Sequence, residues 1–345
     1  MSNRTLKQLL AALIAFTAFV AAADRVMSAP IATRAPHIDQ IDNEGDDVAI
    51  GTTTVTIKRL KYVYGYSIPA VDDRGLPFWP KTVAVDDDGN IYTTGSRLGV
   101  EEYDKTGQHV TSIGLDTGQA GGMAQQQNGQ LVMPFGVAVS GGSVYVTDGN
   151  WLQIFHTAGD YVGGVDLHDD SVQGPTVLTG VGVGPDGSIY VIDSQKPAVL
   201  TLSSGGQESN SWGTKGKDDG DFTTPRCVVA NADGDIIVDD ENANNIQVFG
   251  SDGTFKFKIG GKQTGDDKLT NPQGLALDSL EDIFVCTQNN VRAYSKTGDY
   301  LGDLPPSRGK APIIGEAMGI AIDKSNNLYI ANSNNKSIDV YLRQK

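Results

Sequence analysis

The sequence predicts an all-β chain folded as a six-bladed β-propeller with four antiparallel strands in each blade. Three observations lead to this prediction. A unit of about 45 residues recurs six times after residue 55. Each copy contains short apolar runs separated by tight turns, which is typical of antiparallel strands. The composition, with 39% hydrophobic residues and 42 glycines in 345, suits many short strands and turns better than long helices.

Each repeat starts at an anchor residue, usually proline, just before its first strand. The six anchors are Pro80, Pro134, Leu178, Pro225, Pro272 and Ala317, which lie 54, 44, 47, 47 and 45 residues apart. In the fourth repeat, PRCVVANADGDIIVDDE, an Asp-Gly pair occupies the turn between the first two strands, where a positive φ is needed. Third and fourth strands follow, as in NNIQVFG and SDGTFKFKIG. Four short strands in each repeat are typical of a propeller blade.

The sixth repeat lacks a fourth strand, because the sequence stops after SIDVYLRQK. The segment VTIKRLKYVYG, Val55 to Gly65, precedes the first anchor and has no inner strands of its own. We expect it to supply the missing outer strand of the last blade, which closes the ring without an exposed sheet edge. The predicted propeller domain is therefore 55–345.

The N-terminus has the pattern of a targeting segment. Arg4 and Lys7 precede the uncharged run LLAALIAFTAFVAAA, which ends in small residues before Asp24. We predict a signal peptide over residues 1–23, with a membrane anchor as the alternative. Residues 24–54 are polar and lack periodicity, which predicts a flexible tail. The mature protein is expected to be secreted or periplasmic, with no membrane span after cleavage.

The chain is acidic, with a formal net charge of −15. A surface of this charge repels phosphate backbones, so we expect no nucleic-acid partner.

One segment carries a family resemblance. WGTKGKDDGDFTTPRCVVANADGDIIVDDENANNIQVF resembles the NHL repeat, and the likeness extends over 55–345. It is strongest in repeats 2, 4 and 6, whereas repeats 1 and 5 replace the aspartate that closes the second strand with Gly95 and Thr287. The resemblance implies a six-bladed propeller, of the kind found in secreted bacterial proteins. It leaves the activity open, because the same fold serves as adaptor, sensor, lyase and lactone hydrolase.

Blade geometry predicts where a ligand binds. The residue after each anchor is expected at the mouth of the central channel: Lys81, Phe135, Thr179, Arg226, Gln273 and Met318. Lys81 and Arg226 fall on opposite blades and could clamp a carboxylate, phosphate or sulfate.

Two alternatives stay open at this mouth. The two cations could instead pair with the acids that end the second strands, which are Asp148, Asp193, Asp239 and Asp240. Phe78, Trp79 and Phe135 add aromatic surface nearby, which is either hydrophobic packing under the first blade or a platform for a sugar or a peptide.

No catalytic residues are predicted. The four histidines avoid the channel positions, so three-histidine zinc chemistry is not expected. A calcium-binding loop is one interpretation of the acidic run Asp86-Asp87-Asp88-Gly89-Asn90. The same position is a turn in every repeat, so we interpret the run as a turn. We therefore predict an exported, non-catalytic propeller that needs no cofactor and binds a protein, a glycan or another anionic ligand. The alternative is a calcium-dependent hydrolase or lyase.

The two cysteines fall on neighbouring blades. Cys227 lies on the inner strand of the fourth and Cys286 at the end of the second strand of the fifth. In an oxidising compartment they either form a disulfide or remain two buried thiols.

Overall fold

The computed structural model describes residues 54–57, 60–95, 99–114, 129–169, 176–261, 268–288, 290–304 and 316–344. Every regular element in these ranges is a β-strand. The predicted signal peptide, residues 1–23, and the predicted tail up to residue 53 lie outside them. Within the same ranges, no helix of a length and hydropathy suited to crossing a membrane was found.

The strands form six antiparallel sheets. The chain starts with a hairpin of β1 (Thr54–Ile57) and β2 (Leu60–Pro69), which belongs to the last blade. Blade 1 has β3 (Val83–Val85), β4 (Ile91–Thr94), β5 (Val100–Tyr103) and β6 (His109–Ile113). Blade 2 has β7 (Pro134–Ser140), β8 (Ser143–Asp148), β9 (Trp151–His156) and β10 (Tyr161–Asp166). Blade 3 has β11 (Leu178–Val183), β12 (Ile189–Asp193), β13 (Ala198–Leu202) and β14 (Glu208–Trp212).

The second half of the chain repeats the pattern. Blade 4 has β15 (Pro225–Ala230), β16 (Ile236–Asp240), β17 (Asn245–Phe249) and β18 (Phe255–Gly260). Blade 5 has β19 (Gly274–Leu277), β20 (Ile283–Cys286), β21 (Val291–Tyr294) and β22 (Tyr300–Leu304). Blade 6 has β23 (Ala317–Ile322), β24 (Leu328–Asn332) and β25 (Ser337–Gln344). The innermost strand β3 contacts both β7 and β23, so the blades form a closed ring and the predicted fold is confirmed.

Blade 6 is completed by the N-terminal hairpin, as the sequence predicts. Strand β2 pairs with β25 in antiparallel register from Lys61 opposite Gln344 to Pro69 opposite Ser337. The pairing strand starts and ends later than the predicted segment Val55 to Gly65. Its register shifts at a β-bulge between Tyr64 and Tyr66, where Gly65 is the extra residue. Strand β1 then adds a fifth strand outside β2, which the sequence analysis did not predict.

Burial is greatest in the middle strands of the blades, because the innermost strands line the channel and the outermost strands face solvent. All residues of β12 and β16 are buried, whereas exposed residues alternate along the outermost strand β10. Blades stack face to face near the axis and separate towards the rim, so only their inner strands are covered on both faces. Alternation with a period of two is the expected pattern for an outer strand with one solvated face.

We call the side of the ring that carries the anchors face one and the opposite side, with the turns between first and second strands, face two. In blade 1 this turn has Gly89 at φ 88°, and in blades 5 and 6 Glu281 and Asn326 take the same left-handed conformation at 63° and 62°. The Asp86 carboxylate accepts hydrogen bonds from the backbone N–H groups of Asp88 and Asn90. These are the contacts of a turn, as we interpreted the acidic run.

The inner strands pack backbone against backbone around the axis. Four blades have glycine two residues after the anchor: Gly136, Gly180, Gly274 and Gly319. A Cβ atom on Gly180 would lie 2.5 Å from the Arg226 carbonyl oxygen of the next blade, and one on Gly319 would lie 2.8 Å from that of Lys81. Only a residue without a side chain permits this approach, so the glycines set how close neighbouring blades can come.

We therefore expect Gly180→Ala to destabilise the ring. The new methyl group must push two backbones apart, and overpacking of this kind costs about 2–3 kcal/mol in the free energy of unfolding. Gly163 in the outer strand β10 is the matched control, because a Cβ there meets nothing within 4 Å. Chemical denaturation measures both variants, and equal effects of Gly180→Ala and Gly163→Ala would contradict the packing account.

The second prediction concerns ring closure. Deleting residues 24–53 removes no described strand, so the melting temperature should stay close to that of the mature chain. Deleting 24–69 removes β1 and β2 and leaves the whole edge of β25 unpaired, so cooperative thermal unfolding should be lost. Calorimetry of the two truncations distinguishes them, and identical transitions would show that β2 is dispensable.

Point variants of Tyr62 provide the control for these truncations. This buried β2 residue packs edge-to-face on Phe284 of blade 5, with ring centroids 6.0 Å apart, and its hydroxyl has no hydrogen-bond partner. Tyr62→Ala should therefore cost about 3–5 kcal/mol, as for other large aromatic truncations, whereas Tyr62→Phe should cost nothing.

Candidate functional site

The central channel opens on face one. It has a volume of about 350 Å³, and most of its wall is the valine, alanine and glycine of the six inner strands. Five of the six predicted mouth residues line it: Phe135, Thr179, Arg226, Gln273 and Met318. Lys81 does not line the channel itself, but its neighbour Thr82 does. Lys81 therefore lies beside the opening and not in its wall, and the role of all six residues in binding a ligand stays a prediction.

Arg226 belongs to a polar network on one side of the mouth. Its Nε donates to Glu241 Oε2, and Gln273 Nε2 donates to the other oxygen of the same carboxylate at 2.9 Å. The Arg226 side chain remains 29% exposed. Among the described residues, none accepts a hydrogen bond from its terminal guanidinium nitrogens, so Glu241 holds the side chain through one nitrogen and leaves its outer edge available.

The acids proposed as alternative partners of the cations have another role. Asp148 accepts hydrogen bonds from the backbone N–H groups of Val132 and Met133, and Asp240 accepts from those of Thr223 and Thr224. Each carboxylate thereby holds the segment that leads into its own blade's anchor. The side-chain partner of Arg226 is Glu241, one residue beyond the strand end, which the sequence analysis overlooked.

Lysine and aromatic side chains lie on the other side of the mouth. The Lys81 Nζ lies 5.3 Å from the centre of the Phe135 ring, and the Lys336 Nζ lies 4.4 Å from that of Trp79. At these distances the ring quadrupole attracts the ammonium. Phe78 is buried core, but Trp79 is 51% exposed, so the packing interpretation does not hold for Trp79.

Thr179 lies between these two halves, on blade 3. Only 4% of the residue is exposed, and its Oγ1 has no hydrogen-bond partner. A buried hydroxyl usually finds one, because leaving it unpaired costs about 1–3 kcal/mol. Thr179 lines the channel through its other atoms, because its hydroxyl oxygen is itself buried.

Asp239 lies directly under Arg226, at a position where other blades have hydroxyls. In blades 1 and 2, Thr94 and Thr147 donate at 2.6 Å to the Phe135 and Thr179 carbonyls of the next blade. The equivalent Asp239 is completely buried; its Oδ1 accepts from the Arg226 and Cys227 backbone N–H groups, and its Oδ2 has no partner.

Burial raises the pKa of Asp239 from its ordinary 3.8 to about 7, against the lowering effect of the two backbone donors and the Arg226 charge, and the Asp240 charge raises it slightly further. Asp239 Oδ2 has no partner, so it makes no bond between neighbouring blades of the kind that Thr94 and Thr147 make.

Both cysteines are free thiols in the structure. Cys227 is half-buried in the channel wall, and the buried Cys286 thiol donates to the Gly319 carbonyl at 3.7 Å. Desolvation raises the pKa of both thiols well above the ordinary range, which makes them weak nucleophiles. The predicted disulfide between them stays a prediction.

A metal site was also sought. Across the described ranges, no group of three or more histidine, cysteine, aspartate or glutamate side chains is arranged to hold an ion. His109, the histidine with the most defined contact, lies on the outer strand β6 and bonds Glu101 at 2.8 Å, far along the blade from the mouth.

The chain was compared with known proteins. No family model matches it. Protein brain tumor of Drosophila melanogaster is 28% identical over 123 residues, which is 34% of this chain but 11% of that protein. The B-box type zinc finger protein ncl-1 of Caenorhabditis elegans is 30% identical over 123 residues, 34% of this chain and 14% of that protein. The chain thus matches only a small part of either relative, and membership of the NHL family stays a prediction.

Solved structures show the fold at low sequence identity. A streptogramin B lyase has a TM-score of 0.57 at 12% identity, over 81% of this chain and 97% of its own. A gluconolactonase from Xanthomonas campestris has a TM-score of 0.57 at 14% identity, over 84% and 91%. The WD40 propeller domain of Doa1 has a TM-score of 0.54 at 11% identity, over 85% and 90%. All three structures are less than 25% identical to this chain, so these likenesses establish the propeller fold alone.

Asp239 generates a pH prediction. Because its pKa is higher in the folded chain than in the unfolded chain, the folded chain binds more protons between about pH 4 and pH 7. The stability that protonation of Asp239 gives the folded chain therefore falls as the pH rises through this window and is absent above it. The change in the free energy of unfolding is on the order of a few kcal/mol.

Asp239→Asn should remove that dependence and unfold at a higher temperature than the wild type at pH 8. Asp87→Asn, which removes an exposed carboxylate on face two, is the control and should leave the slope unchanged. Denaturation at several pH values measures how the free energy of unfolding depends on pH. If Asp239→Asn keeps the wild-type dependence, a group other than Asp239 takes up the proton.

Proposed function

We propose that this chain is a non-catalytic ligand-binding propeller that holds an anionic group at the channel mouth, between Lys81 and Arg226. The observation that carries the proposal is a surplus of donors. The Lys81 ammonium lies beside the opening and the outer edge of the Arg226 guanidinium lies at it, and no described residue accepts a hydrogen bond from either group. A carboxylate, sulfate or phosphate supplies several acceptors at once.

The charge balance of the mouth supports an anion over a cation. Glu241 neutralises the Arg226 charge, which leaves the Lys81 ammonium as a positive charge without a carboxylate partner beside the opening. The chain as a whole has a net charge of −15, so this region is an exception in an acidic surface. Charge-assisted hydrogen bonds at such a half-buried site contribute about 1.5–3 kcal/mol each.

The proposal includes export of the protein. It rests on the residues 1–23, whose charged start, apolar run and small residues fit a signal peptide. The ligand is accordingly one that occurs in the periplasm or outside the cell.

The alternative function, a calcium-dependent hydrolase or lyase, has less support. The streptogramin B lyase and the gluconolactonase are only 12% and 14% identical to this chain. A likeness at that level supports a shared fold but gives no support for a shared reaction. No observation at the mouth favours a reaction, whereas the unmatched donors favour binding.

Isothermal titration of the mature protein with sulfate, and separately with citrate, tests the proposal. We expect saturable binding that Arg226→Gln and Lys81→Gln each weaken by about tenfold or more, since one such bond is worth about 1.4 kcal/mol or more. Lys324→Gln is the control, because that lysine pairs with Asp87 on face two.

Melting curves of the same variants separate binding from folding. If Arg226 serves only to neutralise Glu241, Arg226→Gln loses stability and neither anion binds the wild type or the variant. That result would end the proposal.

A further inference from the structure

Face one has an exposed rim of mixed apolar and cationic character beside the mouth. It consists of Trp79, Lys81, Met133, Phe135 and Lys336, which we call the lysine–aromatic rim. Trp79 is 51% exposed and Met133 is 62% exposed. They are equivalent residues of adjacent blades, each immediately before an anchor proline. Large apolar side chains left this open on one face are typical of an interaction surface.

The backbone under the rim is firmly held. Thr82 Oγ1 donates to the Phe135 carbonyl at 2.9 Å and joins the two anchor segments. Ser333 Oγ donates to the Pro80 carbonyl at 2.5 Å, which ties the turn of blade 6 that carries Lys336 to the first anchor. A partner therefore meets a preformed surface and loses little free energy in ordering it.

The two lysines indicate the charge of that partner. Each ammonium lies over an aromatic ring, and none of the described carboxylates is within ion-pair distance of either. Lys324, on face two, by contrast has Asp87 at 3.0 Å. The rim thus presents two unneutralised cations in a chain of net charge −15, which favours a partner with negative groups at matching positions.

The same arrangement argues against a sugar. A carbohydrate stacks on an open aromatic face, but one face of Trp79 and one of Phe135 already have an ammonium above them. A peptide carboxylate can pair with these ammonium groups where they are, while an apolar side chain packs on the flexible Met133.

We propose that the lysine–aromatic rim binds an acidic peptide segment of a partner protein, with glutamate or aspartate side chains on Lys81 and Lys336 and an apolar side chain against Trp79 and Met133. This inference rests on the proposed function, because Lys81 is shared and an acidic side chain from the same segment would enter the mouth.

The test is fluorescence anisotropy with a short dye-labelled peptide in which glutamates alternate with leucine and phenylalanine. We expect it to bind the mature protein, and Met133→Gln and Lys336→Gln each to weaken binding severalfold, with a loss of about tenfold or more in the double variant. Leu280→Gln and Lys324→Gln are the matched controls, since both residues are exposed on face two. A peptide with glutamine in place of glutamate, and one with serine in place of the apolar residues, should both bind weakly.

Sulfate titration of the same variants separates this inference from the proposed function. Met133→Gln and Lys336→Gln should leave sulfate affinity unchanged, because neither residue is at the mouth. If sulfate binds normally but the peptide does not bind, or binds the rim variants as well as the wild type, the proposal for the rim is wrong and the proposal for the mouth stands. If the wild type binds neutral oligosaccharides and the rim variants weaken that binding, the rim is a glycan-binding surface and the peptide proposal is wrong. Absence of both sulfate and peptide binding removes both proposals.

Discussion

The contact between the backbones of neighbouring inner strands controls the rest of this structure. Where Gly180 passes the Arg226 carbonyl and Gly319 passes that of Lys81, there is no space for a side chain, so the glycines of four blades set how closely those inner strands approach the next blade. That distance sets the width of the channel and the tilt of each blade on the next. It also leaves one residue per blade, the one before the glycine position, to form the mouth. The chemistry of the opening is therefore decided by six side chains on a nearly invariant frame.

The frame is regular, but the mouth is not. Lysine, phenylalanine and tryptophan occupy the side formed by blades 1, 2 and 6, whereas Arg226, Glu241 and Gln273 form a hydrogen-bonded network on blades 4 and 5. Thr179 lies at the boundary between them. The irregularity extends below the surface to Asp239, where a carboxyl takes the place of the hydroxyls of blades 1 and 2. A regular scaffold with side chains that differ from blade to blade is a general means of placing recognition on a repeat fold.

Spacing and periodicity were enough to predict the blade number, the four-strand blades and the closing N-terminal strand, because these depend on local turn chemistry and on counting. The contacts of individual side chains were not predictable. Glu241 follows two aspartates that looked equivalent to it, and only the direction of the chain after β16 points it at Arg226. Trp79 and Phe78 are adjacent, and only the close approach of Gly95 to the Phe78 ring decides which one is core. Asp239 was predictable in principle, since aligning the repeats places an acid in a column of threonine, isoleucine, cysteine and alanine.

The pairing of β2 with β25 joins residues from opposite parts of the sequence, Lys61 with Gln344. During synthesis the N-terminal strand emerges long before its partner exists, so the ring stays open until the last blade has been made. Blades 1 to 5 can form in order from neighbouring strands, but the final step must wait for nearly the whole chain. The strand that closes the ring is thus the first part of the described ring to be synthesised and the last to find its partner.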